Sequence, residues 1–108
     1  MTDLEMTKLC AMAMGLRIVY PDQADLPLCV ESAKGAGVYF PLHDDVQAMA
    51  LVKKLRLAIE TIEIGAWCVW NNEQCTMHSM DEYAEGFNEN LNRAIVECVA
   101  KMQEARQA

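Results

Sequence analysis

Nucleophilic, metal and phosphate chemistry each need particular residue types at particular spacings, and the chain carries fragments of all three. Its two serines are Ser32 and Ser79 and its two histidines His43 and His78. Only His78, Ser79 and Asp81 bring a histidine, a serine and an acid close together in sequence, and neighbours that near rarely point at one another in triad geometry. No G-x-S-x-G elbow is present. For metal, Cys68, Cys75 and His78 would converge if their strands paired, with His43 or Cys29 as a fourth ligand. Only Cys75-x-x-His78 is a close pair, whereas zinc sites usually carry two, so no metal is assigned. For phosphate, Lys34 precedes Gly35-Ala36-Gly37. A Walker loop places its Lys after the glycines and a helix behind it, so the segment reads as a hairpin connection. No cofactor is implied, and the expectation is a protein that is not an enzyme.

Charge placement points to binding. The net charge is −7, from 16 acids and 9 bases. No Lys or Arg occurs from Leu57 to Asn92, a stretch that carries Glu60, Glu63, Glu73, Asp81, Glu82, Glu85 and Glu89. The remaining acids balance the bases. The chain thus lacks the basic patch that direct nucleic-acid binding requires. Two binding sites are expected instead. Glu73, Asp81, Glu82, Glu85 and Glu89, around Tyr83 and Phe87, form an acidic surface suited to a basic protein partner. Tyr39, Trp67 or Trp70, with Asn92 and Arg93, would line a pocket for a small, nucleotide-like ligand. Arg93 is the only base between Arg56 and Lys101 and is the expected phosphate contact.

These residues must be held by elements that the pattern predicts. Thr2-x-x-Glu5 is a capping box, and Met6, Leu9, Cys10, Ala13 and Leu16 follow at helical spacing, so a helix is expected over 3–14 with Gly15 ending it. Short strands are expected over 17–20, 28–31 and 38–40. Asp44, with Gln47 as a second capping pattern, opens a helix striped by Ala48, Leu51, Val52 and Leu55 and widened by Met49. The segment 57–64 is β-prone, but its alternation slips, which a bulge near Glu60 or burial of both faces would explain. Ala66-Trp67-Cys68-Val69-Trp70 is apolar throughout and is expected to be covered on both faces. Cys75 to His78 is its partner strand. Residues 79–87 read as a helical turn or a loop. A last helix begins near Asn88, striped by Leu91, Ala94, Ile95, Cys98, Val99 and Met102.

The order α, β, β, β, α, β, β, β, α predicts an α/β fold, a layered α/β/α sandwich of about five or six short strands with three helices, in one domain spanning 1–108. At this length one core buries roughly two thirds of the unfolded chain's surface. The five cysteines, an odd number without a CxxC pair, are expected to be reduced. The acidic start Met1-Thr2-Asp3-Leu4-Glu5 is unlike a signal peptide, and no long apolar run suggests a membrane span, so the cytoplasm is the expected location.

Three blocks resemble one family, the phage ABA sandwich domain proteins: Met6-Thr7-Lys8-Leu9-Cys10-Ala11-Met12-Ala13-Met14-Gly15, the stretch from Tyr39-Phe40-Pro41-Leu42-His43-Asp44-Asp45 to Lys54, and the tail Leu91 to Met102. Residues 60–88 carry none of the resemblance. It implies a helix–sheet–helix sandwich of phage or prophage origin and assigns no residue roles. The expected function is that of a phage accessory protein acting by binding in the host cytoplasm, with counter-defence by sequestering a nucleotide-like signal as the leading reading. The alternatives are inhibition of a host protein through 73–89 and an uncharacterised small enzyme. A homodimer or higher oligomer is expected.

Overall fold

A computed structural model describes residues 1–62, 66–71, 75–79 and 87–107, and the side chains of these except at 61, 62, 66, 75–79 and 87–90. The described elements run α1 (Asp3–Ala13), β1 (Arg17–Ile18), β2 (Leu28–Ser32), β3 (Gly35–Tyr39), α2 (Asp45–Leu55), β4 (Ala58–Ile62), β5 (Ala66–Trp70), β6 (Cys75–Ser79) and α3 (Phe87–Gln107). The mixed α/β sandwich expected from the pattern is the observed fold class, in the expected element order. The strands form two antiparallel three-stranded sheets, β1-β2-β3 and β4-β5-β6.

Local chemistry sets the ends of the helices. Thr2 Oγ1 accepts from Glu5 N–H at 3.1 Å, and Glu5 returns the bond to Thr2 N–H at 3.2 Å, so α1 begins where the capping box requires. It stops at Met14 because Gly15 takes φ 74°, the left-handed conformation that glycine adopts without strain. Asp44 caps α2 by accepting from Gln47 N–H at 3.0 Å. The second half of that capping pattern is absent. Gln47 turns its amide to β3 instead, donating to the Val38 carbonyl at 2.9 Å and accepting from Phe40 N–H at 2.7 Å. At its other end α2 is closed by Arg56 in the left-handed region at φ 54°.

Helix α3 organises the core. It packs against α1, α2, β5 and β6, while α1 covers β1 and β2. Ala94, Ile95, Val96, Cys98, Val99, Ala100 and Met102 are all buried, which encloses the helix on more faces than the single stripe predicted. Leu28, Leu51 and Val69 complete the interior from β2, α2 and β5. Fully burying an aliphatic side chain of this size contributes about 1.5–3 kcal/mol, so these contacts join both sheets to one core.

Two strand expectations are corrected. β3 begins at Gly35, so the connection shrinks to the turn at Ala33 and Lys34. Gly35-Ala36-Gly37 has little intrinsic strand preference, and its pairing with β2 decides its conformation. In β4 the pairing runs without interruption from Ala58 opposite Trp70 to Ile62 opposite Ala66, so no bulge occurs at Glu60. Ile59 and Ile62 therefore lie on opposite faces of a regular strand, and Leu57 precedes it. The Leu57 N–H bonds the Val52 carbonyl at 3.1 Å and its side chain is buried at the end of α2.

A candidate binding cleft beside helix α2

Helix α2 has two apolar flanks. Ala48 and Leu51 face the core and are buried, with Val52 and Leu55 packed at their edge. Val46, Met49, Ala50 and Lys53, at i, i+3, i+4 and i+7, make the other flank and look outward. Val46 is 80% and Met49 39% exposed, so neither is used by the core. With Asp45 these residues line an open cleft of 420 Å³. Asp45 and Lys53 stand at its two ends, roughly 12 Å apart along the helix axis at 1.5 Å per residue. The cleft thus has an apolar floor with a carboxylate at one end and an ammonium at the other.

The start of α3 joins α2 there. A smaller recess of 140 Å³, lined by Asp45, Met49, Leu91 and Asn92, shares two of its residues with the cleft. Asn92 is 4% exposed. Its Nδ2 donates to Asp45 Oδ1 at 2.8 Å and reaches the Leu42 carbonyl at 3.5 Å. One buried amide therefore fixes the carboxylate at the mouth of the cleft and ties α3 to the turn before α2. At the far end Lys54, next to Lys53, bonds the Met14 carbonyl at 3.0 Å and anchors α2 to the end of α1.

Of the residues expected to hold a ligand, Asn92 borders this site. The others do not line the cleft. Tyr39 is 5% exposed at the end of β3, and its buried hydroxyl has no hydrogen-bond partner among the described residues. Burial, reinforced by the nearby Cys10, pushes that hydroxyl far above its ordinary pKa, so it stays neutral. Trp67 shares the inner sheet face with Val69, and its indole nitrogen is buried; Trp70 lies on the opposite pleat. Arg93 spends its guanidinium on Asp3, with two parallel contacts of 3.0 Å to the carboxylate oxygens. That hydrogen bond holds the Asp3 carboxyl below its ordinary value of 3.8.

The expected partner-binding acids Glu73, Asp81, Glu82 and Glu85 lie outside the described residues, as does the segment 80–86. Glu89 falls in the first turn of α3, where the side chain is not described. The register of β5 and β6 sets position 75 opposite Trp70 and position 78 opposite Trp67. By register positions 68 and 75 share one sheet face and position 78 lies on the other, while the side chains at 75 and 78 are outside those described. Among the described residues no group of three metal-binding side chains is placed to hold an ion. His43 sets its ring edge-on to Phe40 at 4.4 Å, and Ser32 Oγ accepts from Lys34 N–H at the hairpin turn. Gly35-Ala36-Gly37 is extended strand, not a phosphate cradle.

The sequence reading missed Val46, Ala50 and Lys53. The signal was present, because an apolar residue outside the 48/51/55 stripe and spaced i, i+3 from Met49 has no core to enter. Comparison with protein-family models, with curated proteins and with solved structures finds no match. No described helix is long and apolar enough to cross a membrane.

Proposed function

We propose that the chain is a phage or prophage accessory protein that acts by binding, and that it captures a small organic anion of nucleotide size in the cleft on α2. The observation that carries this reading is the apolar row of exposed Val46 and Met49 and half-buried Ala50, lining a 420 Å³ space between an acid and a base. Small-molecule sites commonly span about 300–1,000 Å³ and pair an apolar surface with a few polar groups that set orientation. A planar or aliphatic body lies on the valine and methionine, an anionic group meets Lys53, and a hydrogen-bond donor meets Asp45. The resemblance of the α1, α2 and α3 blocks to phage sandwich proteins supports the origin. Sequestering a nucleotide-like signal of host immunity is the role that this ligand class fits.

Native mass spectrometry of the protein, before and after mixing with a host small-molecule extract, tests the reading. The expected result is a discrete adduct on wild type that Val46→Asp loses and Lys53→Glu weakens. Both substitutions sit on an exposed helix face and should leave stability within about 0.5 kcal/mol. A bare mass in both samples, or an adduct that Val46→Asp retains, refutes the cleft as the site.

A further inference from the structure

Among the described residues strand β3 is an edge of its sheet, and the hydrogen bonds show which of its backbone groups have no partner there. Cys29 of β2 turns both its groups away from β3: its N–H donates to Gln23 Oε1 at 3.3 Å and its carbonyl accepts from Val19 N–H at 2.9 Å. Its antiparallel partner Val38 must likewise face away from β2, as must Ala36 opposite Glu31. Gln47 confirms the parity, because its amide occupies the outward Val38 carbonyl and Phe40 N–H as a neighbouring strand would. Among the described residues, what remains without a partner at this edge is Ala36 N–H, Ala36 C=O and Val38 N–H. Gly35, Ala36, Gly37 and Val38 are all exposed, Val38 at 62%. None is charged and none is proline, the features by which edge strands usually resist pairing.

We infer that this edge pairs antiparallel with β3 of a second copy of the chain, about a two-fold axis through Ala36. A residue on such an axis exchanges both of its bonds with itself, N–H to C=O in each direction, so Ala36 is satisfied completely. Val38 then lies opposite Lys34 of the partner subunit. The pairing ends there, since Gln47 has already taken the next two groups on each copy. The free groups of the edge are thus self-complementary and bounded, which suits one symmetric contact better than a long foreign strand. Glycines at 35 and 37 leave the approach unobstructed. The acids behind the net charge lie in 57–92, outside this hairpin, so no like charges meet along 35–38. The product is a continuous six-stranded sheet, β1-β2-β3 joined to its copy.

Amide hydrogen exchange at rising protein concentration, beside sedimentation velocity, tests the inference on the wild-type chain. The expected result is a monomer–dimer equilibrium in which Ala36 and Val38 amides slow together. The slowing reaches about tenfold where nine-tenths of the protein is dimer, by mass action. Gly35, Gly37 and Tyr39, already bonded to β2, should not change. Ala36→Pro removes an outward N–H that the monomer does not use, and should give a folded monomer at every concentration. A wild type that stays monomeric refutes the inference. So does a dimer whose Ala36 and Val38 amides exchange freely, a folded Ala36→Pro variant that still dimerises, or protection of Ala36 that appears only with another protein's strand. If Ala36→Pro fails to fold, the wild-type exchange decides alone.

Discussion

Replacing Asn92 isolates the bond that joins α3 to the mouth of the cleft. Asn92→Ala removes the 2.8 Å donation to Asp45 Oδ1; the 3.5 Å approach to the Leu42 carbonyl is too long to add much. A hydrogen bond to a charged group contributes about 1.5–3 kcal/mol, and the lower end applies because the abandoned Asp45 carboxylate is exposed and regains water. The expected loss is ~1.5 kcal/mol, a fall in Tm of roughly 6–8 °C for a domain of this size. Asn92→Asp should cost more, because it sets one carboxylate against another. Two like charges about 3 Å apart repel by ~1.4 kcal/mol even at the dielectric constant of water. At pH 7 the total should therefore be roughly 3 kcal/mol. Acidification protonates one of the two carboxyls, which then donates to the other, and the gap between the two variants should close. Urea unfolding of both variants at pH 7 and near pH 4 reads these differences. An Asn92→Ala variant within about 0.5 kcal/mol of wild type, or an Asn92→Asp variant no worse than Asn92→Ala at pH 7, would refute this account of the α2–α3 junction.

The ion pair between Asp3 and Arg93 is half exposed, with 48% and 36% of the side chains accessible, so Asp3→Asn should cost less than ~1 kcal/mol. Because the folded-state pKa of Asp3 is lowered, that contribution is present above the ordinary carboxylate range and lost as pH falls below 3.8. Thermal melts of wild type and Asp3→Asn should therefore differ at pH 7 and converge in acid. Cys10 and Cys98 are fully buried, and burial pushes the Cys10 thiol far up, so both should resist maleimide labelling in the native state. Cys29 and Cys68, both half-buried, should label before these two, as peptide mass spectrometry would show. Gln47→Ala removes both bonds between α2 and the β3 edge and should cost about 1–2 kcal/mol by urea unfolding, while leaving the α2 cap from Asp44 in place.

Element order was legible because it rests on short-range signals that tertiary context did not override. Thr2 with Glu5, Gly15, and Asp44 each act within one turn of the backbone, and each marks the boundary that the structure shows. The missed details come from choices made across the fold. Gln47 has the right spacing to return the Asp44 cap, but the orphan carbonyl of Val38 and N–H of Phe40 compete for the same amide. Leu57 has the composition of a strand residue, but the end of α2 captures it. Val96 and Ala100 lie off the predicted stripe of α3 and are buried because α1, α2 and the second sheet all crowd one helix.

The candidate site was less legible for a related reason. A sequence reading favours rare and chemically distinctive residues, and the fold put several of these to structural use. Arg93 is isolated among acids, which suggested a ligand phosphate; the acid that claims it, Asp3, is ninety residues away and invisible to local pattern. Tyr39 and Trp67 have the size to line a pocket, but Tyr39 is part of the core and the Trp67 indole nitrogen is buried. What the core declined to use is chemically ordinary: a valine, a methionine and an alanine on the wrong side of α2. Val46, exposed in the first turn of α2, is not used by the core and has lower helix propensity than alanine. Substitution at Val46 should therefore leave folding intact, which makes it a cleaner test of the proposed binding than substitution at the buried aromatic residues or the ion-paired Arg93.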